Sequence, residues 1–131
     1  MRNKKYKKIV VDLSCTLIHH GHIRLLKKAK KYGKVFVALT SDEEIRKHKK
    51  IRSELNYLNR REILLSIKYV SGVIKCKYHI TDSFLKKHNF DLLIHGHDNI
   101  NPIKKKNLKI VGRTKKISST ILRKRAKKNK I

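Results

Sequence analysis

His19, His20 and His22 crowd a single short turn, His19-His20-Gly21-His22. The turn follows an apolar run, Ile9-Val10-Val11-Asp12-Leu13, and opens a stretch of helical period, which predicts a strand, a tight loop and a helix start. Gly21 lets backbone come close to a ligand, and the helix N-terminus supplies N–H groups and the positive end of a dipole. His19 and His22, three residues apart, can both point at one phosphate and donate hydrogen bonds to its developing charge. The same residues also fit a polar turn with exposed histidines, and a histidine pair at this spacing can ligate a metal. Spacing alone leaves all three readings open.

A second cluster is Arg113-Thr114-Lys115-Lys116-Ile117-Ser118-Ser119-Thr120. Hydroxyls at a helix start are ordinary caps. With a cationic segment just upstream they also form an anion cradle. A third is His95-Gly96-His97-Asp98, which closes the run Asp91-Leu92-Leu93-Ile94. His95 and His97 suit a polar turn; brought near the first three histidines, they would make an adventitious Zn²⁺ or Ni²⁺ site. Asp12 fits a buried acid paired with lysine or a strand-edge residue, and no role is assigned to it. Cys15 fits a small core residue, although a helix N-terminus beside it could lower its pKa.

Alternating strands and helices must position these groups. Strands are predicted at 9–13, 35–39, 73–74, 91–94 and 108–111. The first helix runs from His20 through Ile23, Leu25, Leu26 and Ala29, with Gly33 as its C-cap. Ser41 before Asp42-Glu43-Glu44 marks another helix start. The basic, aperiodic residues 46–53 are predicted as a loop. Leu58 to Ile67, Asp82 to His88 and Ser118 to about Lys128 complete the helices, with 127–131 frayed. Such alternation implies right-handed crossovers and a parallel sheet covered on both faces. Ligands in these folds sit beyond the carboxyl ends of strands where strand order reverses. The loops at 14–22 and 95–99 and the helix start at 118 therefore compete for one crevice.

Composition bounds the rest. The 131 residues suit one domain spanning 1–131, and 39% hydrophobic residues suffice for one core. No apolar run reaches the ~18 residues of a membrane span, and the basic start lacks a secretory signal's apolar stretch, so a cytoplasmic protein is expected. Two cysteines are too few for a disulfide framework and lack zinc-site spacing. Lys plus Arg is 36 against 9 Asp plus Glu, a net charge of +27. That is the footprint of a nucleic-acid binder. However, 27 of the 36 are Lys, they are scattered along the whole chain, and only five Tyr and three Phe accompany them. Drift of the surface toward Lys, Ile and Asn through A+T-rich codons explains this better, with non-specific polyanion binding as a secondary property.

The two phosphate motifs together resemble the cytidylyltransferase family of nucleotidylyltransferases, in particular the glycerol-3-phosphate enzymes and their phosphonate- and phosphoethanolamine-pathway relatives. The family's H-x-G-H is read at His19, Gly21 and His22, and its R-T-x-G-I-S-[ST]-T at Arg113, Thr114, Ile117, Ser118, Ser119 and Thr120. Ser41-Asp42-Glu43, Arg60-Arg61-Glu62-Ile63-Leu64, Tyr69-Val70 and Asp91 to Gly96 fall between them in family order, so the likeness spans about residues 7–125. It implies a three-layer, Rossmann-like, doubly wound α/β sheet of strand order 3-2-1-4-5.

The implied activity is transfer of a cytidylyl group from CTP to a small phosphorylated alcohol or phosphonate, with release of pyrophosphate. His19, His22, Lys50 and Arg113 would be catalytic. Ser14, Gly21, His22, Asp98, Arg113, Ile117, Ser118, Ser119 and Thr120 would bind nucleotide. Lys50 (with Lys47 and Lys49 as competitors in register) and Arg60 would bind substrate phosphate. Mg²⁺ would enter with the triphosphate, no protein metal site is implied, and a homodimer without membrane insertion is expected. Alternatives are an ATP-dependent adenylyltransferase and a non-catalytic basic module that binds nucleic acid. The chain departs from the family pattern where Leu13-Ser14-Cys15-Thr16 replaces G-T-F-D or its S-A-D version, so Thr16 replaces an acid. His97 likewise stands for the first Asp of G-D-D, and Lys116 for Gly.

Overall fold

The computed structural model describes residues 6–97 and 99–129. Its elements are β1 (Tyr6–Leu13), α1 (His20–Lys30), β2 (Gly33–Thr40), α2 (Asp42–Lys49), α3 (Tyr57–Leu65), β3 (Val70–Cys76), α4 (Asp82–Lys87), β4 (Leu92–His95), β5 (Leu108–Ile110) and α5 (Ser119–Lys128). All strands are parallel, in the order β3-β2-β1-β4-β5. The order reverses between β1 and β4, so the crevice of this sheet opens beyond Leu13 and His95.

The central strands are buried on both faces, which is why they read as continuous apolar runs instead of alternating ones. Along β1, Ile9, Val11 and Leu13 pack with Leu25, Leu26 and Ala29 of α1 and Leu64 of α3. Val10 faces the other way, onto Leu85 of α4 with Ile80, Phe90 and Leu93. These two apolar layers fix the three-layer arrangement. Ser41, Asn56, Thr81 and Ser118 each accept a backbone N–H within the first turn of their helices, so polar caps set where α2, α3, α4 and α5 begin.

Three expectations are corrected. Gly33 does not cap α1, which ends on right-handed Lys31; it opens β2, where a Cβ would lie 2.3 Å from the Tyr6 carbonyl oxygen. Residues 46–49 are helical, because acids in the first turn of α2 and bases in its last complement the helix dipole, and Ile45 anchors it. The strand expected at 73–74 extends over Val70–Cys76, an edge strand whose exposed Ser71 and Lys75 mask its apolar pattern. Of the residues expected to fray, Lys127 and Lys128 stand in the last turn of α5, and 130–131 lie outside the described residues. Among the described residues, no helix is long and apolar enough to cross a membrane.

Candidate active site

The histidine turn is a reciprocal cap. The Gly21 N–H donates to Nδ1 of His19 at 3.0 Å, and the His19 N–H donates to Nδ1 of His22 at 3.1 Å. The two rings stack with centroids 3.9 Å apart. Each Nδ1 is an acceptor, so each neutral ring must carry its proton on Nε2. Burial, reinforced by His19 and Lys49, pushes His22 down to about 3. Burial, with His20, also lowers His19. At neutral pH the pair is therefore two uncharged N–H donors, not a general acid. A Cβ on residue 21 would lie 2.8 Å from Cε1 of His19 and 3.1 Å from Cγ2 of Ile117. Gly21 is thus required by the imidazole folded over it and by Ile117 packed behind it.

A cavity of about 370 Å³ opens at the switch point. His19, Gly21 and His22 line it together with Ser14, Arg113, Ile117, Ser118, Ser119 and Thr120. Sequence-distant motifs therefore converge. The start of α5 is tied to the turn after β1 twice: the Leu17 N–H donates to Oγ of Ser119 at 3.1 Å, and that hydroxyl donates to the Leu17 carbonyl at 2.8 Å. Oγ of Ser118 caps the helix by accepting the Ile121 N–H at 3.0 Å. Arg113 has no ion pair among the described residues. Cation, dipole and uncharged imidazoles together make a site for a tetrahedral anion.

Three wall residues had no role assigned from the sequence. Oδ1 of Asp12 lies 2.7 Å from Nδ1 of His95, and its Oδ2 accepts from the Asn101 amide at 3.0 Å. Asp12 is the only acid among the described residues lining the cavity, and Tyr78 lines the same cavity. An acid inside an apolar strand was the visible signal for Asp12. Nothing in the sequence marked Tyr78, which reaches the wall from the loop after β3.

Several expected residues stand elsewhere. Lys50 is the left-handed, exposed C-cap of α2 (φ 57°) and does not line the cavity; Lys49, one residue earlier, does. Desolvation lowers the Lys49 ammonium below its usual value, with Arg123 and Arg60 adding repulsion. Arg60 is fully buried and outside the cavity lining. Its guanidinium donates to the carbonyls of Leu55 (3.0 Å), Ser14 (2.7 Å) and Thr40 (2.9 Å) and to Oδ1 of Asp42 (2.7 Å). It pins strand ends to helix starts instead of reaching a phosphate. Burial pushes the Cys15 thiol up to about 12, opposite to activation by a helix dipole. Asp98 lies outside the described residues. His95 and His97 line the cavity with His19 and His22, yet no group of three or more His, Cys, Asp or Glu among the described residues could hold a metal.

A parallel sheet with its switch-point cavity walled by two helix starts defines a mononucleotide-type α/β protein. The chain belongs to the cytidylyltransferase-like family, whose model matches residues 16–125. It is 33% identical over 93 residues to glycerol-3-phosphate cytidylyltransferase of Bacillus subtilis, covering 70% of this chain and 72% of that one. Ethanolamine-phosphate cytidylyltransferase of Dictyostelium discoideum is 32% identical over 98 residues, 73% of this chain and 27% of that one. Phosphopantetheine adenylyltransferase of Thermococcus kodakarensis is 41% identical over 70 residues, 53% and 42% of the two chains. In fold, the lipopolysaccharide core biosynthesis protein of Thermoplasma volcanium superposes with a TM-score of 0.67 at 17% identity, over 81% of this chain and 97% of that one.

Proposed function

We propose that the protein transfers a cytidylyl group from CTP to a small phosphorylated alcohol or phosphonate. An oxygen of the acceptor phosphate or phosphonate attacks the α-phosphorus of CTP. The new P–O bond forms as the α–β bridging bond breaks, and pyrophosphate leaves with the electron pair. No covalent enzyme intermediate is needed, so catalysis is positioning plus charge stabilisation. The Nε2–H groups of His19 and His22 stabilise the reacting α-phosphate. Arg113 and the α5 start at Ser118, Ser119 and Thr120 hold the departing β- and γ-phosphates, and Lys49 serves the acceptor phosphate. Mg²⁺ would enter with the triphosphate and would neutralise part of its charge.

The observation that carries this reading is the junction in one cavity of the two uncharged imidazoles with the α5 start and Arg113. Asp12 and Tyr78 refine the acceptor. In a chain with 9 acids against 36 bases, a carboxylate and an aromatic ring on a cavity wall favour an ammonium group. A phosphorylated or phosphono amine is accordingly preferred over a polyol phosphate. Pyrophosphate release tests the proposal, measured with four nucleoside triphosphates against glycerol 3-phosphate, phosphoethanolamine and 2-aminoethylphosphonate. CTP with an amine-bearing acceptor should be the fastest pair. Faster turnover with ATP, the second reading favoured by the adenylyltransferase similarity, would overturn the cytidylyl assignment. No release with any pair, alongside RNA binding that falls steeply with salt, would favour the basic module.

A further inference from the structure

The helix that carries the anion-binding start has no buried residue of its own. Helices in proteins are usually held by an apolar face, and here Ile121 and Leu122 are only half-buried, so a polar anchor adds to what holds α5. Behind its first turn the Ser119 hydroxyl bonds Leu17, as described. One turn further on, Arg123 reaches back to the body of the protein. Its Nη2 donates to Oγ1 of Thr16 at 3.1 Å and to Oε1 of Glu54 at 2.9 Å, and its Nε donates to Oε2 of Glu54. Thr16 is only 2% exposed, and its carbonyl accepts the Leu55 N–H at 3.3 Å. Three segments therefore meet at one guanidinium: the turn after β1, the α2–α3 loop and α5.

We infer that Arg123 and Glu54 form a polar latch that positions the start of α5 over the cavity, with Glu54 supplying the carboxylate that Thr16 lacks. The forked, charge-assisted geometry fixes orientation as well as distance, which a single hydroxyl could not. Ser118, Ser119 and Thr120 lie within about a turn and a half of Arg123 on the same helix start, so a tilt of the helix moves every hydroxyl of the cradle together. The latch also lies on the cationic side of the cavity, where Arg123 and Arg60 each repel Lys49. Glu54 is the acid that makes this crowding tolerable. Arg123 and Glu54 are positioning residues, since neither lines the cavity.

This assignment rests on the proposed triphosphate site, and its experiment separates the two. Glu54→Ala and Arg123→Met should each raise KM for CTP by ~10-fold, leave kcat within about twofold and leave the acceptor KM unchanged. Amide exchange over residues 119–128 should quicken in both variants while that of β1 and β2 does not. Thr16→Asp, which places a carboxylate beside the same guanidinium, should restore CTP KM in the Glu54→Ala background but not in Arg123→Met. Unchanged CTP KM in both single variants, a parallel rise in both substrates' KM, or equal rescue in both backgrounds would overturn the latch. If the wild-type protein turns over no triphosphate, the proposed function falls and the positioning role with it. If the wild type is active and the variants match it, the latch alone falls.

Discussion

Replacing Arg60 should unfold the protein more readily than it impairs substrate binding. Its side chain is fully buried and donates to three main-chain carbonyls and to Asp42. Arg60→Met keeps most of the volume and removes every donor. The Asp42 side chain is 47% exposed and can turn to water, but the Leu55, Ser14 and Thr40 carbonyls lose their guanidinium partner. The Leu55 carbonyl keeps the Ser53 hydroxyl, which leaves those of Ser14 and Thr40; at ~1–3 kcal/mol for each unsatisfied acceptor the loss is about 2–4 kcal/mol. This is a large share of the ~5–15 kcal/mol that stabilises a domain. Arg60→Lys keeps the charge but cannot span four acceptors, and should lose about half as much. The chain has no tryptophan, so equilibrium urea unfolding is best followed by far-ultraviolet circular dichroism. Loss under about 1 kcal/mol for Arg60→Met would refute the clamp. So would wild-type stability in Arg60→Lys with a raised acceptor KM, which is the signature of a phosphate ligand.

His22 binds its proton only near pH 3 when folded and near 6.5 when unfolded, so the unfolded chain takes up more protons between those values. Stability is complete above pH 6.5 and should fall by on the order of 2 kcal/mol between pH 7.5 and 5.0; equal urea midpoints at the two pH values would refute this. Lys116 holds a left-handed φ of 63°, so Lys116→Gly should gain about 0.5 kcal/mol, and a lowered melting temperature would count against it. Gly21→Ala must swing the His19 ring away, and should cost ~10²-fold in kcat; near-normal turnover would remove that ring from catalysis. The homodimer implied by the family resemblance should scatter light as about twice 15.5 kDa at moderate salt, and an active monomer at every concentration would refute it.

The fold was legible because its central strands are continuous apolar runs and three of its helices start on hydroxyl caps. Both signals are local, and both survive a lysine-rich surface. The start of α2 was legible at Ser41, but its second half was not. Its single buried residue, Ile45, leaves no periodic stripe, and its last turn is as basic as a solvated loop. At the site, His19, Gly21, His22 and the 113–120 segment could be found because each motif is contiguous. Arg60 was misassigned for a related reason: an arginine in a family-ordered segment looks the same whether it faces ligand or carbonyls. Only the convergence of Ser14, Thr40 and Leu55 on its guanidinium decides the matter. Asp12 is the converse case, since its partners His95 and Asn101 lie more than eighty residues away in sequence.

The acids say more about this molecule than its excess of bases. Lysines are spread over the surface without pattern, as expected of drift that folding tolerates. Six of the nine carboxylates make contacts that order the chain. Asp12 orients His95 and Asn101 on the cavity wall, and Asp42 completes the Arg60 clamp. Glu44 accepts the Tyr78 N–H at 2.9 Å, fixing the loop that brings an aromatic ring to the cavity. Glu54 receives Arg123. Away from the site, Asp82 and Asp91 accept backbone N–H groups of Lys104 and of Lys7 and Lys8, where they fasten chain segments to the sheet. At +27, self-repulsion works against every close approach of chain to chain. Each of these six carboxylates holds a cation, an amide or an N–H that ties distant segments together. Four of these contacts surround one cavity, which makes that cavity, and not the basic surface, the feature this sequence is built to keep.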